Sequence, residues 1–355
     1  MNIMTNVRIQ SITPLISPVE LREQFVLESN DADTILQDRS EINKIVARED
    51  MRILGIVGPC SIHDKQAAIE YAEKLKRLSE KVSDHILLVM RTYFEKPRTI
   101  LGWHGLIMDP YLDGTDDIAY GLQLARDILL DITRIGLPVG CEMLDPIIPQ
   151  YIDDLVCWAA IGARTTESQT HRNLASGLSV PVGFKNSTSG NFTNAVNAIK
   201  TAASPASFIG IDTNGNSSIL RTTGNDKGHL ILRGGSNSPN YYEEYVEDAA
   251  ETMRKMKLTP SIIVDCSHAN SCKQYKRQGR VLRSVIDQIV RGNKAIAGFM
   301  LESNLNSGRQ ELGDDPARLK YGVSVTDACI GWDETEEIIM KAYEKLNKKE
   351  MVINK

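Results

Sequence analysis

The chain has no long apolar run, no surplus of basic charge and few aromatic residues. No hydrophobic stretch approaches the roughly 20 residues that a membrane-crossing helix needs, which excludes a helical membrane protein. Lys and Arg number 41 against 46 Asp and Glu, a formal charge of −5, so the basic footprint of a nucleic-acid-binding protein is missing. Six cysteines in 355 residues, none spaced CxxC, point to a reducing cytosol and away from a disulfide scaffold. The opening residues MNIMTNVRIQ lack a basic start followed by an apolar core, so we expect no signal peptide and a cytoplasmic location. Gly102-Trp103-His104-Gly105 and Arg233-Gly234-Gly235 fit neither a P-loop nor a Rossmann fingerprint, and no nucleophile elbow, repeat or low-complexity tract appears. With 42% hydrophobic and 25% charged residues, the composition is that of an ordinary globular protein.

The apolar content is distributed as short runs: 53–57, 86–90, 137–141, 159–163, 180–184, 230–232, 262–264 and 296–301. Continuous aliphatic runs of this length suit strands buried on both faces of a parallel sheet. Amphipathic stretches such as 65–81, 116–135 and 243–257 separate most of them. Eight strands alternating with helices predict an α/β fold, a closed (β/α)8 barrel over residues 51–355, with a doubly wound open sheet as the alternative. Residues 1–50 have no buried-strand signature; they read as an extension that packs on something else, with a capping box at Ser17-Pro18-Val19-Glu20. Asn214-Gly215 between two short strand-like runs predicts a β-hairpin over 208–222, inserted between the fifth and sixth barrel strands.

In a barrel the residues just beyond the C-terminal strand ends build the site. Here they include Cys60, Arg91, Lys96, Glu142, Arg164, Lys185, Arg233, Asp265, His268 and Glu302. Five of them are cations (Arg91, Lys96, Arg164, Lys185, Arg233), which would repel one another without an anion between them. In an acidic protein this concentration points to a small, phosphorylated and multiply charged substrate. Any single cation is as readily an ion-paired strand-end residue; the five together are not. Cys60, His268, Glu302 and Asp327 offer one sulfur, one nitrogen and two oxygens to a divalent metal, although their spacing matches no short metal motif. The remaining cysteines and histidines read as structural.

The segments GPCSIHD (58–64), RTYFEKPRT (91–99), IGARTTESQTHR (161–172), PVGFKN (181–186), ILRGG (231–235), DCSHAN (265–270) and YGVSVTDACIGW (321–332) resemble the microbial, feedback-regulated type I 3-deoxy-D-arabino-heptulosonate 7-phosphate (DAHP) synthases. The resemblance covers essentially the whole chain. It implies a (β/α)8 transferase that condenses phosphoenolpyruvate with D-erythrose 4-phosphate at the head of the shikimate pathway. It implies a metal site of Cys60, His268, Glu302 and Asp327 holding one divalent ion, Mn, Fe, Co or Zn. Phosphoenolpyruvate would meet Arg91, Lys96, Arg164, Lys185 and Arg233 with the Gly162-Ala163 backbone, and erythrose phosphate Arg98 and Thr99. Lys96 is expected to transfer a proton near the aldehyde oxygen and Glu142 to orient water. The neighbouring alternatives are an octulosonate phosphate synthase and a non-catalytic phospho-ligand sensor. Two segments depart from the expected pattern: His104 stands where Lys is usual, and Asn186-Ser187-Thr188-Ser189-Gly190 where NGTDG is more common.

The same resemblance assigns regulation and assembly to residues 1–50 and the hairpin. An aromatic amino-acid inhibitor would be lined by Pro149, Gln150, Ser179, Phe208 and Gly210. Glycine at 210 leaves space for a para-hydroxyl, so tyrosine is the expected inhibitor, with phenylalanine second. A homodimer or homotetramer is expected, with neither nucleic-acid nor membrane partners.

Overall fold

Short aliphatic runs bounded by glycine and proline form eight parallel strands and one hairpin in the computed structural model, which describes residues 5–98, 101–236, 238–313 and 315–353. The strands are β1 (Ile53–Gly58), β2 (Ile86–Arg91), β3 (Val139–Glu142), β4 (Trp158–Ile161), β5 (Val182–Lys185), β6 (Ser207–Ile211), β7 (Ser217–Arg221), β8 (Gly228–Leu232), β9 (Ile262–Asp265) and β10 (Ile296–Glu302). The barrel closes in the order β1-β10-β9-β8-β5-β4-β3-β2, while β6 and β7 pair only with each other. Every residue of β1, β3, β4, β5, β9 and β10 is buried, as strands covered by helices outside and side chains inside must be. The expected barrel and inserted hairpin are both present.

Helices α1 (Pro18–Gln24) and α2 (Ser29–Val46) precede the barrel; α3 (Lys65–Val82), α4 (Ile118–Ile135), α5 (Pro149–Ile152), α6 (Gln169–Gly177), α7 (Thr193–Ala202), α8 (Glu243–Lys255), α9 (Gln278–Val290) and α10 (Trp332–Ile353) follow. Ser17 and Glu20 form the capping box of α1. Ile35, Ile42 and Ile45, the sparse apolar face of α2, are buried in the barrel's outer core. The Val19 N–H donates to the Thr213 carbonyl at 2.9 Å, and the Tyr151 hydroxyl to the Ile16 carbonyl at 2.7 Å. The extension is thereby tied to the hairpin turn on one side and to α5 on the other. In the hairpin, Asp212 accepts from the backbone of Asn214 and Asn216, and Gly215 takes φ +79°.

The boundaries differ from expectation by one or two residues, for identifiable reasons. β3 begins at Val139 and β5 at Val182, because Pro138 and Pro181 have no N–H for the ladder. β4 stops at Ile161, where the chain turns at Gly162, and both hairpin strands start one residue early. The segment between β3 and β4 holds a helix of only 4 residues, α5, too short to show an amphipathic period.

Inside the barrel, the Trp158 indole N–H donates to Nε2 of His229 at 2.9 Å, which fixes that nitrogen as an acceptor and the ring as neutral. Burial pushes the His229 pKa down to about 4. The unfolded chain, with an ordinary histidine near 6.5, binds the proton more readily, so this site favours folding above about pH 6.5. The contribution is lost progressively as pH falls from about 6.5 toward 4, by roughly 3 kcal/mol in all. Thermal melts between pH 7 and 4 will therefore fall more steeply for the wild-type chain than for His229→Gln; parallel curves would refute the assignment.

Candidate active site at the barrel mouth

Arg91, Glu142, Lys185, Asp265 and Glu302 are the last residues of β2, β3, β5, β9 and β10, so barrel closure alone collects them at one mouth. The Arg91 guanidinium is fully buried: Nη2 donates to Glu302 Oε1 at 2.9 Å, and Nε donates to the Pro59 carbonyl at 3.0 Å. Lys185 Nζ donates to Glu142 Oε2 at 2.6 Å, also in the interior. Gly162 makes this approach possible, since a Cβ there would lie 2.8 Å from Glu142 Oε1. Burial alone would raise the Glu142 carboxyl, but Lys185, Lys96 and Arg91 outweigh it and hold the pKa near about 2. Glu142 is therefore an ionised acceptor.

Two of the five expected cations are thus paired with carboxylates. Lys96 is half-buried and held above the usual lysine range: burial opposes its charge, and Cys60, Glu302 and Glu142 overcome that. Arg164 is exposed, donating from Nη1 to the Pro97 carbonyl at 3.3 Å. Arg233 is half-buried, with its backbone N–H held by Asn186 Oδ1 at 2.8 Å. Arg98 is exposed and donates from Nε to the Trp103 carbonyl at 2.9 Å. Thr99 lies outside the described residues.

Beside the cations, donor atoms of Cys60, Glu302 and Asp327 lie within 4.8 Å of one another. His268 stands outside this trio but adjoins it, with Nε2 3.7 Å from Glu302 Oε1. Its other nitrogen, Nδ1, shares a hydrogen bond of 2.6 Å with Ser267 Oγ and lies 2.8 Å from Asp265 Oδ2, a setting that orients a ligating imidazole. His268 adopts φ +50°, in the left-handed region that a non-glycine residue seldom takes outside constrained sites. Burial and the Glu302 carboxylate push the Cys60 thiol up, a disfavoured grouping that a cation would relieve. Sulfur, nitrogen and two carboxylate oxygens suit a divalent transition metal, so the residues present fit such an ion.

Several supporting residues were not among the expected site residues, although Ser61, Glu95, Asn186, Asn270 and Thr326 lie inside the segments that carry the resemblance. Gln278 grips Glu302 through both backbone groups, accepting from its N–H at 2.8 Å and donating to its carbonyl at 2.9 Å. Asn186, Asn240 and Asn270 form a buried amide network that holds the Arg233-Gly234 turn. Ser61 and Thr326 share a hydroxyl hydrogen bond of 2.8 Å, bracing the loops of Cys60 and Asp327. The Glu95 carboxylate accepts from the N–H groups of Leu144 and Asp145, joining the loops after β2 and β3. Burial drives its pKa up to about 8, against those two N–H groups.

The expected inhibitor residues fall on α5, on β6 and in the loop before β5. Pro149 is the first residue of α5, and the Gln150 carbonyl accepts from Arg22 Nη2 at 2.7 Å. Phe208 and Gly210 are half-buried on β6. Ser179 lines a groove with Arg39, Asn43 and Lys44 of α2 and Lys227; the other four do not line that groove.

A sequence model described as the DAHP synthetase I family matches residues 25–340. The chain is 49% identical over 344 residues to the Tyr-sensitive phospho-2-dehydro-3-deoxyheptonate aldolase of Escherichia coli K12, covering 97% of this chain and 96% of that protein. It is also 49% identical over 334 residues to the Phe-sensitive enzyme of the same organism, covering 94% and 95%. Among solved structures, a phospho-2-dehydro-3-deoxyheptonate aldolase from Francisella tularensis superposes with a TM-score of 0.93 at 44% identity, covering 96% and 99% of the two chains.

The contrast between Lys185 and Arg164 is testable. Lys185→Ala strands an ionised, buried Glu142 and should cost roughly 3–5 kcal/mol, read as a lower melting temperature. The double variant Lys185→Met/Glu142→Gln should recover most of that loss, and Arg164→Ala should melt like the parent chain. A wild-type melting temperature for Lys185→Ala would contradict the buried pair.

Proposed function

The chain belongs to the DAHP synthetase I family, and from that premise we propose that it condenses phosphoenolpyruvate with D-erythrose 4-phosphate. The products are DAHP and inorganic phosphate, the first step of aromatic amino-acid biosynthesis. The observation that carries this reading is one mouth where a cation cluster adjoins the Cys60, Glu302 and Asp327 donor set. Arg164, Arg233, Lys185 and Arg91, with the Gly162-Ala163 backbone, hold the carboxylate and phosphate of phosphoenolpyruvate. Arg98 and Thr99 receive the phosphate of the sugar, and Lys96 lies between the two substrates.

Carbon 3 of phosphoenolpyruvate is a weak nucleophile, so the aldehyde must be made more electrophilic. One divalent ion, Mn, Fe, Co or Zn, held by Cys60, His268, Glu302 and Asp327, supplies that polarisation when bound. Lys96, kept protonated by its acidic neighbours, gives a proton to the developing alkoxide as the carbon–carbon bond forms. Glu142, kept ionised, orients the water that adds at carbon 2. Phosphate then leaves with its ester oxygen and the carbon 2 ketone forms.

Assembly follows from exposed apolar surface. Val7, Ile9, Ile12 and Leu15 on the N-terminal arm and the cross-strand pair Ile209–Ile219 on the hairpin are exposed. A second copy of the chain would cover them, in a homodimer or homotetramer. No helix among the described residues is long and apolar enough to cross a membrane; the cytoplasm is the proposed location.

Feedback inhibition is assigned to Pro149, Gln150, Ser179, Phe208 and Gly210, with tyrosine as the preferred inhibitor. A Cβ at Gly210 would lie 2.7 Å from Leu220 Cδ1 and 3.7 Å from Phe208 Cε2. A serine there narrows the space beside Phe208. Equal identity to the Tyr-sensitive and Phe-sensitive relatives leaves the preference to such local contacts.

Purified protein should consume phosphoenolpyruvate and release phosphate only with erythrose 4-phosphate, not with arabinose 5-phosphate. A chelator should stop turnover and Mn, Fe, Co or Zn restore it. Turnover with the five-carbon sugar alone, or with neither, would overturn the reading. In a parallel assay at equal concentrations, tyrosine should inhibit more than phenylalanine, and Gly210→Ser should reverse or abolish the preference while leaving uninhibited rates unchanged. Stronger inhibition of the parent enzyme by phenylalanine would refute the inhibitor assignment.

A further inference from the structure

Tyr93 lies two residues beyond the end of β2 and takes no part in the roles given above. Its side chain is 1% exposed. Three of the five mouth cations converge on its ring: the Arg91 guanidinium carbon is 3.6 Å from the centroid, Lys185 Nζ 5.2 Å and Lys96 Nζ 5.8 Å. These separations are within the range at which the negative face of an aromatic ring attracts a cation, and desolvation strengthens that attraction. One neutral surface therefore partly offsets the repulsion among three like charges.

The hydroxyl poses a separate question. It is buried and has no hydrogen-bond partner in the protein, and neither has Nη1 of the adjoining Arg91. Glu142 and Asp265 are close enough to act on it electrostatically, yet neither accepts from it. Phenylalanine would present the same ring to the cations without the cost of desolvating an unmet O–H. Two neighbouring unmet donors within a cation cluster have the chemistry of an anion subsite.

We propose that Tyr93 is part of the phosphoenolpyruvate subsite, its ring setting the spacing of Arg91, Lys96 and Lys185 and its hydroxyl donating a hydrogen bond to the bound anionic substrate. The proposal rests on the function given above and adds a residue to it. Tyr93→Phe separates the two roles, because it keeps the ring and deletes the donor.

The experiment is equilibrium titration with phosphoenolpyruvate together with steady-state kinetics on the metal-loaded enzyme. Losing a hydrogen bond to a charged group should weaken phosphoenolpyruvate binding by about tenfold, and by up to about a hundredfold. The Michaelis constant for erythrose 4-phosphate should stay within about twofold, and the melting temperature should not fall, since a buried unmet donor has been removed. Tyr93→Leu, or Tyr93→Met if leucine prevents folding, should weaken phosphoenolpyruvate binding beyond the phenylalanine variant. Tyr93→Phe that binds phosphoenolpyruvate like the parent would overturn the hydroxyl's role. A folded Leu or Met variant that binds as well as Tyr93→Phe would overturn the ring's role. A parent enzyme that neither binds nor consumes phosphoenolpyruvate would instead defeat the functional reading, so the two failures are distinguishable.

Discussion

The ion pair between Arg91 and Glu302 joins the two halves of the site. β1 lies between β2 and β10 in the closed sheet, so the pair spans a strand to meet above Gly58. Breaking a buried pair by deleting one partner costs roughly 3–5 kcal/mol, because the survivor is left charged and desolvated. That constraint fixes Glu302 among Cys60 and Asp327 while fixing Arg91 against Tyr93. The same carboxylate oxygen that accepts from Arg91 is the one nearest His268 Nε2. The candidate metal donors and the cation cluster are one electrostatic unit.

Most of the surrounding structure holds that unit in shape. Gln278 clamps the Glu302 backbone from the first turn of α9, so the carboxylate is aimed by main chain as well as by its partners. The Asn186, Asn240 and Asn270 amides satisfy the turn after β8, where regular ladder hydrogen bonds have ended. Buried networks of this kind are stable only when every member is paired. At the mouth, the Tyr93 hydroxyl and Arg91 Nη1 are the donors buried without a protein partner among the described residues.

The periphery follows a different logic. The extension and the hairpin expose apolar side chains that the barrel itself does not need. One backbone hydrogen bond connects α1 to the hairpin turn, and a side-chain bond from Arg22 connects it to α5, which lies a few residues beyond the loop held by Glu95. A continuous run of hydrogen-bonded segments thus links these outer elements to the loops that follow β2 and β3.

Strand number, order and the placement of Arg91, Glu142, Lys185, Asp265 and Glu302 at strand ends were legible from the sequence, because buried parallel strands require continuous apolar runs and barrels place polar residues where those runs stop. The motif residues Cys60, His268 and Asp327 were legible through family resemblance, since their spacings of tens to hundreds of residues match no local metal pattern. Pairing was not legible. Whether Lys185 faces Glu142 or a substrate depends on register between β3, β4 and β5, and Ser179's place beside α2 depends on how the extension docks. Gln278, Asn240 and Tyr93 stayed hidden for the same reason: an amide or a phenol carries no periodic signal, and its role exists only once distant segments are brought within a few ångströms. Hydrophobic periodicity is a property of neighbours along the chain, so the sequence by itself determined the buried strands, their number and the hairpin; sheet closure, hydrogen bonds and ion pairs are properties of neighbours in space, so only the tertiary structure decided between barrel and open sheet and assembled the site.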